Sequence, residues 1–231
     1  MEFVMFFFVQ VLLLFFFSRL LTQSISQALF KLTKNKKLTV SILALIFFPG
    51  VVVHELAHFF MATIFMVKTG EIEFLPVLQG DGVKLGSVAI AKTDLIRRFF
   101  IGVAPVILGL LIILSSFYFL TTDSSIVQTI EPNKTLKTIY IILTFYVLFV
   151  ISNTMFSSKK DMEGALELFL IIGLVMLILY ILGVRIPSIS PNSMLTPQIM
   201  DIIKKSDVLL LIPIIIDVFI IGVIKLTEKF I

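Results

Sequence analysis

The sequence predicts an all-α polytopic membrane protein of about six transmembrane helices, with a small β-hairpin between spans two and three. Three observations predict it. Of 231 residues, 58% are hydrophobic and 15% are charged, and the mean hydropathy is +1.11; soluble domains run at about 45–50% apolar and about 25% charged. Apolar runs recur at the length of about 20 residues that a bilayer crossing needs. One polar stretch carries Gln79-Gly80-Asp81-Gly82, a turn signal between two runs rich in β-formers.

The first span is expected at Glu2–Phe17, retained and not cleaved, because no basic residue precedes its apolar run and no small-residue cleavage site follows it. The second run, Leu38–Val67, is too long for one straight crossing, and Pro49-Gly50 inside it predicts a kink or break between two helices. Further spans are expected at Phe99–Leu120, Leu136–Phe156, Gly164–Val184 and Val208–Ile224. Ser18–Lys37, with Arg19, Lys31, Lys34, Lys36 and Lys37, reads as a polar connection. Lys68–Arg98 holds the hairpin over 71–91, and Arg185–Asp207, with Pro187, Pro191 and Pro197, reads as an irregular loop.

No gap fits a second soluble domain, so residues 1–231 form a single integral membrane domain in a lipid bilayer. With no Cys there is no disulfide framework and no thiolate ligand or nucleophile. A net charge of +4, scattered and without a polybasic block, gives nucleic acid no partner surface. Lys and Arg divide nine to ten between the two sides, so charge does not set the orientation. High Ile, Lys and Phe usage fits the cell membrane of a prokaryote.

Chemistry concentrates at His54-Glu55-Leu56-Ala57-His58, which contains both histidines of the chain. On a helix, positions i and i+4 share a face, so both imidazoles reach one ion, while Glu55 lies about 100° round from His54. Two imidazoles and one carboxylate hold Zn²⁺ with a position left for water, and a separate carboxylate takes the water proton. Three ionisable groups in one turn of a span would be hard to bury without a purpose.

The third ligand must come from elsewhere. Asp161, just past span four on the side reached by the histidines, is the leading candidate, and Glu163 and Glu167 are the competing carboxylates. Asn153, inside span four, either donates to a developing oxyanion and substrate backbone or makes a helix–helix hydrogen bond. Gly102-Val103-Ala104-Pro105 opens span three and reads first as a close helix crossing with a kink, and in the alternative as the floor of the cavity. Asp217 in span six has no catalytic role assigned.

In this order, His54–His58, Gly102–Pro105, and Asn153 followed eight residues later by Asp161 resemble the site-2 protease family of intramembrane zinc metalloproteases, over residues 39–164. The resemblance implies one zinc per chain held by His54, His58 and Asp161. It implies Glu55 as general base, Asn153 as an oxyanion or substrate contact, and Gly102 and Pro105 on the substrate side. The expected activity is hydrolysis of a peptide bond in or near the span of a membrane-anchored protein, on the cytoplasmic side. The chain departs from the pattern in lacking prolines between Asn153 and Asp161, in placing Gly164 three residues after Asp161, and in carrying no inserted PDZ-like domain. The alternative reading is a metal-binding transporter or channel-like bundle without proteolytic activity.

Overall fold

The computed structural model describes the backbone of residues 2–75, 77–79, 82–84, 86–121, 134–156, 167–168, 170–171, 174 and 197–227. These residues form α1 (Glu2–Thr33), α2 (Lys36–Ile64), β1 (Thr69–Glu73), β2 (Val77–Gln79), β3 (Gly82–Lys84), β4 (Ser87–Ile90), α3 (Leu95–Thr121), α4 (Lys134–Thr154) and α5 (Pro197–Thr227). Among the described residues, five helices are long and apolar enough to cross a membrane, which is compatible with an integral membrane protein. The expected count of six is not reached there. Of the span expected at Gly164–Val184, only Glu167, Leu168, Leu170, Ile171 and Leu174 are described, all helical; the rest lies outside the described residues.

Three boundaries differ from the sequence expectation. The connection expected over Ser18–Lys37 is helical through Thr33. Its polar residues alternate with Leu20, Leu21, Ile25, Leu29 and Phe30, and none is Pro or Gly. The polar side chains turn back on the helix instead of breaking it: the Thr22 hydroxyl donates to the Ser18 carbonyl, and Arg19 lies 4.3 Å over the Phe15 ring. The reversal needs only Lys34 and Asn35: Lys34 takes a positive φ of 50°, and the Asn35 side chain caps α2 by accepting from the backbone of Lys37 and Leu38.

The break expected at Pro49-Gly50 is absent, and α2 runs unbroken through both. Pro49 offers no N–H to the Leu45 carbonyl. Beside it, the Tyr146 hydroxyl of α4 donates to the Ile46 carbonyl at 2.9 Å, giving this turn a partner from a neighbouring helix. Gly50 serves packing. A Cβ there would meet Thr154 Oγ1 and lie 2.8 Å from the Val150 carbonyl. The third difference is at residue 197, where the expected loop is already the first turn of α5; Pro is tolerated at a helix start because that N–H has no intrahelical acceptor.

β1 pairs antiparallel with β4, and β2 with β3, as two two-stranded ladders. One core joins α1, α3, α4 and α5 through Leu14, Ile113, Leu148, Ile151 and Leu210. A second seam joins α2 to α4 through Leu43, Phe47, Val51 and Val150, with Phe47 stacked on Phe149 at 5.8 Å. A third, small cluster of Ala62, Val67 and Ile101 ties the end of α2 to the start of α3. Phe8, Phe16 and Phe60 point outward from the bundle, where lipid tails are as good a solvent as protein.

α2 stops by a Schellman reversal. The Val67 N–H donates to the Ala62 carbonyl at 2.8 Å and the Met66 N–H to Thr63 at 3.0 Å, while Met66 holds the left-handed φ of 55° that glycine usually supplies. Val67 then packs on Ala62. A left-handed non-glycine residue costs about 1–2 kcal/mol, so Met66→Gly is expected to stabilise the protein by about 1 kcal/mol, read as a rise in the midpoint of thermal unfolding in detergent. Gly50→Val, which forces α4 away from α2, is expected to destabilise by about 1–3 kcal/mol in the same measurement.

Candidate metal centre

α2 and α3 run antiparallel, and they meet where chemistry was expected. His54, Glu55 and His58 are only 4%, 6% and 5% exposed, so all three polar side chains lie inside protein. His58 Nδ1 lies 2.8 Å from the Ile101 carbonyl oxygen of α3. A carbonyl only accepts, so Nδ1 carries the proton and Nε2 presents its lone pair. That Nε2 lies 3.2 Å from His54 Nε2, with the rings 4.8 Å apart and crossed at 83°.

This geometry tests the fit of a metal. Two imidazole nitrogens at about 2.0–2.1 Å from a tetrahedral zinc stand about 3.3 Å apart, close to the separation the helix already imposes. A ligating histidine also donates its second nitrogen to a carbonyl or carboxylate, as His58 does. The pair therefore fits as two ligands of one ion. Among the described residues no group of three or more His, Cys, Asp and Glu side chains stands together as a metal site. Asp161 and Glu163 lie outside the described residues. Glu167 is described, and it pairs with Arg98.

Glu55 faces the strands. A Cβ on Gly86 would lie 2.9 Å from Glu55 Oε1 and 2.7 Å from Val51 Cγ1, so the chain entering β4 passes directly against this carboxylate, and a larger residue would displace one of these side chains. The same end of the bundle opens through a cleft of about 410 Å³, with His58, Ile101 and Gly102 inside and Lys92, Thr93 and Arg98 among its outer residues. Gly102 thus stands beside the histidines, whereas Pro105 is fully buried and does not line the cleft. The α3 start that shapes the cleft is held by Asp94, which accepts from the Arg97 backbone N–H at 3.0 Å. That hydrogen bond, with the Arg97 guanidinium, keeps the Asp94 carboxyl below its ordinary value. The cap therefore contributes at neutral pH and is lost as pH falls through the lowered folded value.

Asn153 is placed one turn deeper. Its neighbour Thr154 meets Gly50, one helical turn before His54. Both hydrogens of the Asn153 amide are taken: Nδ2 donates to Asp217 Oδ1 of α5 at 2.8 Å and to the Phe149 carbonyl at 2.9 Å. Asp217 is fully buried. Asn153 Oδ1 and Asp217 Oδ2 each lack a hydrogen-bond partner among the described residues. The structure thus brings together His54, Glu55, His58 and Gly102, and gives Asn153 to the α4–α5 contact. Sequence reading missed Ile101, a contributor through its main chain, and Gly86, whose only signal is its place at the edge of the turn-rich hairpin.

Removing one partner of a buried hydrogen bond costs more than removing both. Asp217→Leu and Asn153→Leu are each expected to lower stability by about 1–3 kcal/mol, and the double variant by less than the sum, with a coupling of about 0.6–1.7 kcal/mol between the two sites. Additive single effects in a double-mutant cycle of detergent unfolding would show that the pair does not hold α4 to α5.

No family model, curated protein or solved structure matches the chain.

Proposed function

We propose that the chain is an intramembrane zinc metalloprotease that hydrolyses a peptide bond in or near the membrane-spanning segment of a membrane-anchored protein. The observation that carries this reading is the 3.2 Å approach of the two Nε2 atoms, with His58 Nδ1 committed to the Ile101 carbonyl. His54 and His58 would hold the metal, and Asp161, seven residues after the end of α4 in sequence, would supply the third ligand. The zinc, when bound, supplies Lewis acidity that activates water and polarises the scissile carbonyl.

The remaining steps belong to the protein. Glu55, buried beside the pair, accepts a proton from the attacking water on its carboxylate and delivers it to the leaving amine nitrogen. Gly86 and the β1–β4 ladder limit water at that carboxylate. Gly102 leaves room for a substrate backbone beside His58. A helical substrate must unwind locally here, because its peptide groups are otherwise committed to its own hydrogen-bond ladder.

Purified protein in detergent is expected to bind one zinc per chain and to cleave a synthetic single-span substrate. Glu55→Gln is expected to retain zinc and lose cleavage by about 100-fold or more; His58→Ala is expected to lose both. Full cleavage by Glu55→Gln would falsify the assignment of the base. Metal movement across vesicles without cleavage, unchanged in Glu55→Gln, would favour a transporter instead.

A further inference from the structure

We infer that Pro105 is a positioning residue for His58. In an α-helix the carbonyl of residue 101 accepts from the N–H of residue 105. Residue 105 is proline, inside the unbroken helix α3, and proline has no N–H to give. The Ile101 carbonyl is therefore released from the main-chain ladder four residues ahead of it. A buried carbonyl without a donor is costly. The donor it receives is His58 Nδ1 of α2, at 2.8 Å.

The consequence runs to the metal centre. Because the Ile101 oxygen is left to the imidazole, Nδ1 keeps the proton and Nε2 turns its lone pair toward His54 Nε2, 3.2 Å away. A nitrogen at position 105 would restore the helical donor, and a ring-free residue would remove the steric push of proline on the same carbonyl. The Ile101 oxygen would then be shared or turned away, and His58 would lose the bond that fixes its tautomer and ring orientation. Pro105 is fully buried and does not line the cleft, and the route from it to the site runs through Ile101 and His58. This deepens the proposed metal site, and it rests on that reading only in the zinc arm of the test.

The test uses the full-length protein in detergent. ¹⁵N NMR of the metal-free protein at alkaline pH reads the tautomer directly, with His54→Ala assigning the remaining ring as His58. The wild type is expected to show the Nδ1–H form, and Pro105→Ala a mixture. Zinc affinity, measured by chelator competition, is expected to fall about 10-fold or more in Pro105→Ala, the usual cost of losing such an outer partner. Thermal stability of the metal-free variant is expected to hold or rise, since a proline leaves a helix interior. Pro213→Ala, the same change in α5, is the control and is expected to leave tautomer and affinity alone. An Nε2–H tautomer in the wild type overturns the inference, and this arm needs no folded variant. Pro105→Ala with wild-type tautomer and affinity also overturns it. A tautomer shift in a protein that binds no zinc leaves it standing and removes the metalloprotease reading.

Discussion

The bond between His58 Nδ1 and the Ile101 carbonyl fixes the site because it fixes two things at once. It sets which imidazole nitrogen presents a lone pair to a ligand, and it sets the depth at which α2 and α3 cross. The two helices are antiparallel, so positions equally far from this bond along each chain lie at equal depth. Gly50 is eight residues before His58, and Gly109 is eight residues after Ile101. Both glycines face the last turn of α4: a Cβ on Gly50 would strike Thr154, and one on Gly109 would lie 2.9 Å from the Met155 Cβ. The end of α4 is thus seated between two backbones, about 6 Å along the axis from His54 and about 12 Å from His58.

α4 runs parallel to α2 and ends at the Gly50 crossing, one helical turn before His54. The Asn153–Asp217 bond acts on the same turn, tying it to α5. Packing from α2 and α3 and a buried polar bond from α5 therefore hold one short stretch of α4.

Much of the fold was legible because hydropathy and length are sums over many residues. Errors came where a single residue was given a fixed meaning. Ser18 through Lys31 looked like a connection on polarity, yet nothing in it breaks a helix, and hydroxyls such as Thr22 return their hydrogen bonds to the helix. Pro49-Gly50 looked like a break, yet the missing N–H was tolerated and the glycine marked a crossing. The histidine pair was legible because its geometry is local: two positions four apart on one helix. Its second partner was not, because a main-chain carbonyl has no side-chain identity to read. The contact of Gly86 with Glu55 was invisible for a related reason: an absent side chain says only that something is close, never what.

Prolines in three helices illustrate how little the residue type says by itself. Pro49, Pro105 and Pro213 each sit inside a helix, and each removes one donor from its ladder. The outcome depends on the neighbour of the released carbonyl. Beside Pro49 a tyrosine hydroxyl from α4 serves the adjacent Ile46 oxygen and binds two helices together. At Pro105 the donor is an imidazole, and the same defect fixes a proton on His58 Nδ1. A hydroxyl can rotate to another acceptor, but an imidazole that donates from one nitrogen has committed the other as a lone pair. The defect in α3 is thus transmitted as electronic state and not only as packing.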